Sequence, residues 1–567
     1  MALPWNIAGS ASQVLFQDKA SSQYQALLAI TDLPHPDRSI LGGFFNDAFD
    51  PPAAARYLLH RIHMNGSNSP SGQKLRFLSD WASVVTKFRP TLATSLPAET
   101  KKLIYDRDGG CCCLTHTPFT SYLDPDLEYV HMISPCLFED PQLSEGSARY
   151  EMLCEFLSPE LLEILNERQE QPQRLDNLWL LSKQAFSDLE KGTVFLQRRD
   201  WKSFPDPTRK QAYTVVTNLA RPRLYPISSL DADEVVLESR NQLPIIKEEL
   251  FEIHACFSKT LAWMDVKRYI ISSPDDTTAP VRKPSLLLSA FPFSILGHLW
   301  RALPSFMRAI VYDALVRIGS RMYGPTLSMT VFKLPFGLYL RRGHPMLGSE
   351  HQAEAHTLRM IERSTSIPAP RALDVLQTSR WSYLLMTRVP GQPISQQFNR
   401  MTDEQVKQAV EDLKRYVAQL RAIPPNTDSE FRICNSLGGG FLDWRIPDSQ
   451  REELRFKSEA EFNKYLTDPF GEDTRRRAAK SHDIPHAIHF THGDLNPRNI
   501  LVENGRISGI VGWENAGWFP EYWEYTKAHY CVRYVMRWLV DVVDRVFEGY
   551  RDELHVENML SDLLGPF

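Results

Sequence analysis

HFTHGDLNPRNILVENGRISGIVGWE, His489 to Glu514, decides how the chain is read. Its centre, His492-Gly493-Asp494-Leu495-Asn496-Pro497-Arg498-Asn499, carries an Asp and an Asn five positions apart, with Gly and Pro punctuating a loop. Two apolar runs follow, Ile500–Val502 and Ile507–Val511, separated by Glu503-Asn504-Gly505; the Asn-Gly pair predicts a β-hairpin. A carboxylate and an amide presented together suit phosphoryl transfer. The carboxylate accepts the proton of an attacking hydroxyl, and the amide oxygen holds a Mg²⁺ against phosphate charge. A lone Asp-x-x-x-x-Asn is a frequent accident that marks a solvated turn. Here His492, Gly493, the hairpin and GWENAGWFPEYWEY, Gly512–Tyr525, accompany it.

The block resembles the aminoglycoside phosphotransferase family, which has a protein-kinase-like fold, and especially its fungal members. Protein kinases keep the same spacing in H-R-D-x-x-x-x-N, with Arg where this chain has Gly493. The resemblance extends upstream over about residues 285–567. TVFKLPFGLYLRRG, Thr330–Gly343, is similar to the family's early strands, and SEHQAEAHTLRMIERSTSIPAPRAL, Ser349–Leu373, to its first-lobe helix and the turn after it. WSYLLMTRVPGQPI, Trp381–Ile394, is similar to the strand and hinge that receive adenine. The likeness implies a phosphotransferase moving the γ-phosphoryl group of ATP to the hydroxyl of a small molecule. It makes Asp494, with His492 beside it, the catalytic centre, and Asn499 a metal ligand. Glu354 is then the helix carboxylate that pairs with the phosphate-gripping cation, and Met386–Val389 offer backbone groups to the purine.

Two positions depart from the family pattern. Gly512 stands where relatives carry the Asp that holds the nucleotide's Mg²⁺, which leaves Glu514, two residues along, to reach the same face. Arg341, next to Arg342, stands in place of the gripping Lys, a planar fork in place of a compact ammonium. Lys333, earlier in the same segment, is a second candidate for that cation, and a solvated strand lysine is the favoured reading. Impaired turnover follows as an expectation, and a catalytically inactive protein that binds a nucleotide or a partner is the alternative. Trp513, Trp518, Phe519, Tyr522, Trp523 and Tyr525 read as lobe core, and His482, His486 and His489 as loop histidines.

A second resemblance lies upstream, in LIYDRDGGCCCLTHTPFTSYLDPDLEYVHMISP from Leu103 and RLDNLWLLSKQAFSDLEKG up to Gly192. It is similar to HNH nuclease-type domains with a core near residues 100–200, and implies a degenerate site on His131 and Asn177. Phe186 and Val130 occupy places where that family has metal ligands, so a metal-dependent nuclease is the last of the three function classes. Cys111–Cys113 with His116 offers soft ligands, but adjacent positions diverge, and a packed hairpin is the expectation.

The expected fold class is α+β. A helical, HNH-like ββα-containing domain over 1–271 and a linker at 272–285 precede a bilobal kinase-like domain over 286–567. Leu75–Phe88 and Glu160–Arg168 have helical periodicity. The 567 residues, 43% hydrophobic and 23% charged, exclude a disordered or disulfide-stapled chain. A net charge of -5 gives no whole-molecule pull toward nucleic acid. Eight cysteines without a Cys-x-x-Cys pair, and a start without a basic flank before an apolar run, point to an intracellular, cytoplasmic protein. Pro284–Trp300 is apolar but broken by Pro292, and reads as a helix-packing segment without membrane insertion.

Overall fold

The computed structural model describes residues 20–63, 70–137, 140–168, 175–199, 207–218, 234–272, 299–324, 330–425, 429–450, 452–532 and 536–564. The chain divides into two units, one spanning Asn6–Pro274 and the other Asp275–Phe567 with Met1–Trp5. The expected linker beyond Ser272 and nearly all of the apolar stretch from Pro284 to Trp300 lie outside the described residues. No helix among the described residues is long and apolar enough to cross a membrane.

The N-terminal unit opens with four helices, α1 Ser22–Ala29, α2 Asp37–Asn46, α3 Pro51–His63 and α4 Pro70–Lys87. Aromatic residues fill its interior. Trp81 lies 5.0 Å from Phe44 and 4.7 Å from Phe156, ring centre to ring centre, and Phe257 stacks on Phe88 at 4.0 Å. Beside them runs a sheet of β1 Thr91–Leu92, β2 Leu127–His131 and β3 Leu178–Ser182, paired antiparallel in that order. Helix α5, Lys183–Glu190, follows directly, capped by the Ser182 hydroxyl on the Ala185 amide. A second sheet joins β4 Val194–Arg198, β5 Lys210–Thr217 and β6 Glu234–Glu238. The periodic stretch at 160–168 falls in helix Pro159–Arg168, and Cys112 and Cys113 are buried as small thiols.

The smaller lobe of the C-terminal unit is a four-stranded antiparallel sheet of β7 Val331–Leu334, β8 Leu338–Gly343, β9 Ala372–Gln377 and β10 Ser382–Thr387, in the order β7-β8-β10-β9. Alternation along β10 decides what each face meets. Tyr383 and Leu385 pack with Tyr312 and Val316 of α6, Ser305–Tyr323. Leu384 and Met386 pack instead with Ala355 of α7, Gly348–Ser364. Arg341 registers opposite Leu384 and Arg342 opposite Tyr383, so the consecutive arginines leave the sheet on opposite sides.

In the larger lobe α8, Asp403–Arg421, starts on a full capping box in which Thr402 and Gln405 bond each other's backbone. Its apolar positions Val406, Val410, Leu413, Val417 and Leu420 recur at helical spacing and enter the lobe core. After the short strands β11 Gln392–Pro393 and β12 Cys434–Asn435, and then β13 Ile488–Thr491, the predicted hairpin forms as β14 Ile500–Glu503 and β15 Arg506–Ile510. Asn504 and Gly505 take φ of 51° and 71°, the left-handed pair that a two-residue hairpin turn requires. The six aromatics between Trp513 and Tyr525 are all buried in core.

Candidate functional site

The loop between β13, Ile488–Thr491, and β14 carries the motif. Gly493 has φ 75°, and a Cβ there would lie 2.3 Å from the Asn515 carbonyl oxygen, so no other residue fits this bend. Asp494 is buried, and its Oδ2 accepts from Asn499 Nδ2 at 2.7 Å and from Arg498 Nη2 at 3.1 Å. Asn499 also donates to the Asp494 carbonyl at 2.9 Å. The acid and the amide read from the sequence therefore do meet. His492 sits beneath them, with Nδ1 accepting from the Asp494 amide at 3.1 Å and Nε2 lying 3.0 Å from the Val511 carbonyl oxygen. Burial holds its imidazole below the usual histidine range. His492 is thus a bracket for the loop.

A further residue was not read from the sequence. Glu524 stands on α9, Trp523–Cys531, and its buried carboxylate accepts the backbone N–H groups of His492 and Gly493, at 2.5 Å and 3.1 Å. It is 32 and 31 positions from the two residues it braces, and no local spacing announces it. Burial pushes its carboxyl up to about 7, against the opposing pull of the two N–H donors. A folded-state pKa above the ordinary 4.5 stabilises the fold fully below about pH 4.5. That stability, about 3 kcal/mol for such a shift, is lost as pH rises through about 7. We predict that Glu524→Gln flattens the fall of Tm between those pH values. Parallel wild-type and variant Tm profiles would count against this assignment.

Around Arg341 the two lobes meet. Its Nη1 lies 3.1 Å from Glu354 Oε2 on α7, and its Nη2 lies 3.1 Å from Glu514 Oε2. Burial opposes the guanidinium's charge, but the two carboxylates outweigh it and raise its pKa. Glu354 is pushed up to about 7 by burial. For Glu514, Arg341 more than offsets burial and holds the carboxyl below its usual range. Arg342 turns away to Asp313 at 2.9 Å, so Arg341 alone of the pair faces the site. Lys333 lies over the Tyr323 ring at 4.3 Å.

The expected metal set fares differently. Glu514, read as a ligand, is engaged by Arg341. Gly512, at φ 80°, offers no oxygen from a side chain, and a Cβ there would lie 2.8 Å from Asn499 Cγ. The amide of Asn499 fills the space that the missing carboxylate would use. Among the described residues no group of three His, Cys, Asp or Glu is placed to hold an ion. With no oxygen at Gly512 and Glu514 turned to Arg341, the expected pair of Asn499 and Glu514 does not by itself fit Mg²⁺.

Met386 and Val389 fall where β10 runs toward the larger lobe, both with buried side chains. The Thr387 and Arg388 amides between them donate to Arg371 and Gly337 carbonyls at 3.0 Å and 2.8 Å, so those two hinge donors are engaged within the lobe. Of the three histidines read as loop residues, His486 alone lies in a loop. His486 is held between Glu459 at 2.7 Å and Glu553 at 3.3 Å, His482 ends a helix, and His489 lies on β13.

In the N-terminal unit His131 ends β2, and Asn177 immediately precedes β3. The Asn177 amide is spent on Ile133, accepting from its N–H at 3.0 Å and donating to its carbonyl at 2.7 Å. His131 Nδ1 is buried with no hydrogen-bond partner among the described residues, and burial lowers its pKa. Asn177 thus pins the strand exit two residues beyond His131. We predict that Asn177→Ala costs about 2 kcal/mol through two unpaired backbone groups, read as a lower denaturant midpoint with unchanged metal content.

Residues 337–558 match the phosphotransferase enzyme family. Over 228 residues the chain is 24% identical to an aminoglycoside 3'-phosphotransferase of Enterococcus faecalis, covering 38% of this chain and 74% of that protein. Similar solved structures include a thermostable mutant of aminoglycoside phosphotransferase APH(4)-Ia in ternary complex with ADP and hygromycin B. It is 15% identical with a TM-score of 0.32, covering 44% of this chain and 89% of that one. Aminoglycoside phosphotransferase APH(3'')-Id from Streptomyces rimosus is 17% identical with a TM-score of 0.30, covering 45% and 98%.

Proposed function

We propose that the C-terminal unit is a kinase-like phosphotransferase that moves the γ-phosphoryl group of ATP to a hydroxyl of a small molecule. One observation carries the reading: Asp494 and Asn499 converge on a buried, braced loop. The pair adjoins a second cluster through the contact of Gly512 with Asn499, and there Arg341 joins Glu354 and Glu514. Asp494 takes the proton of the acceptor hydroxyl as its oxygen attacks phosphorus, and Asn499 and Arg498 fix the carboxylate's direction. Arg341 meets phosphate charge from the smaller lobe, held in place by Glu354. The family match over 337–558 supports phosphotransfer as the reaction class, and the sequence relative supports a hydroxylated small molecule as acceptor. ATP consumption against a panel of hydroxylated acceptors tests it, with Asp494→Asn as control. Equal background rates in both would end the proposal.

A second reading is favoured by Gly512 and by the engagement of Glu514 with Arg341: a protein that binds nucleotide without turnover. Nucleotide-dependent stabilisation with no acceptor phosphorylated would support it. For the N-terminal unit the strand–strand–helix order around His131 supports an HNH-like fold as a proposal about ancestry. Nuclease activity has no such support, since Val130 and Phe186 occupy expected ligand positions and no group of three ligating residues gathers among the described residues.

A further inference from the structure

We infer that this site binds its nucleotide without a divalent cation, with the Arg341 guanidinium answering the phosphates directly. The inference rests on the nucleotide-site reading above and concerns how that site handles charge. A metal-held triphosphate needs free carboxylate oxygens on the protein side. Of the four residues that would serve, one has no side-chain oxygen and three have one carboxylate oxygen already turned to a cation or an amide. Glu354 and Glu514 both face Arg341 at 3.1 Å. Asp494 Oδ2 already accepts two donors, at 2.7 Å and 3.1 Å. Position 512 is a glycine whose would-be side-chain volume belongs to Asn499.

Arg341 shows the complementary feature. A guanidinium has five N–H groups in a fixed fork. Nη1 and Nη2 carry the two ion pairs, while Nε is buried and has no hydrogen-bond partner among the described residues. A buried cationic donor without an acceptor is costly, and an anionic oxygen satisfies it. Arg341 is a single cation already shared by two carboxylates, so a third phosphate gains little from it. ADP and ATP are therefore expected to bind with similar strength.

Isothermal titration of the full chain with ADP and with ATP, in magnesium and in EDTA, tests this. The four Kd values are expected to agree within about threefold, less than 1 kcal/mol apart. Glu514→Gln is expected to leave the magnesium-to-EDTA ratio unchanged. Arg341→Lys, which keeps the charge but loses the fork, is expected to weaken binding about tenfold in both buffers. Gly512→Asp is expected to lower Tm and gain no magnesium dependence, because its side chain must displace Asn499 from a left-handed backbone position. Binding tightened about tenfold or more by magnesium, in wild type or in Gly512→Asp, overturns the inference and leaves the proposed phosphotransfer standing. No binding in either buffer overturns both.

Discussion

Asp494→Asn is expected to reduce acceptor-dependent ATP turnover by about 10²- to 10⁴-fold, the range a positioned general base contributes. The substitution keeps the shape of the side chain and an oxygen able to accept from Asn499 or Arg498. Its effect should therefore fall on proton removal and spare folding. Nucleotide affinity should stay within about threefold of wild type, because a proton acceptor acts in the transition state and contributes little to ground-state binding. Steady-state rates and Kd measured on one preparation separate the two. A variant that loses nucleotide binding in parallel with turnover would mean that Asp494 is a binding group and that the base lies elsewhere.

The second large effect concerns stability. Arg341→Met removes the cation that Glu354 and Glu514 share, leaving two mostly buried carboxylates without a counter-charge. Breaking such a cluster by deleting one partner costs about 3–5 kcal/mol. The urea midpoint of the variant should fall accordingly near pH 7. The triple variant Arg341→Met, Glu354→Gln, Glu514→Gln should recover most of the loss, since no buried charge remains. The sign with pH is fixed as well. Without Arg341 both carboxyl pKa values rise in the folded state. The single variant should then approach wild type below about pH 4.5 and fall away as pH rises. A loss under about 0.5 kcal/mol at neutral pH would place the ion pairs in solvent-like surroundings.

What the sequence made legible was local. The Asn504-Gly505 turn, the helix carrying Glu354 and the Asp494–Asn499 loop all follow from neighbours within a few positions. The two arginines were adjacent in the sequence, and only strand register says which one faces Glu354. The engagement of Glu514 was illegible for a related reason. Its expected role came from counting two residues along a strand, whereas Trp513–Asn515 form a single 3₁₀ turn after the left-handed Gly512. That turn re-aims the carboxylate toward the smaller lobe. The loop position of His486 was legible, but its acidic partners, Glu459 and Glu553, are distant in sequence and were not. The partner of Asn177 was illegible, because a side-chain amide matching the Ile133 N–H and C=O gives no spacing signal.

The support that Glu524 gives to His492 and Gly493 also bears on how the chain can be cut. A polypeptide ending just past β16, Gly517–Pro520, would keep every residue of the loop and both hairpin strands, yet lack the carboxylate that fixes two of the loop's amides. Such a fragment would carry the signature and lose its posture. Domain grafts or split versions of this protein should accordingly place their breakpoint beyond α9.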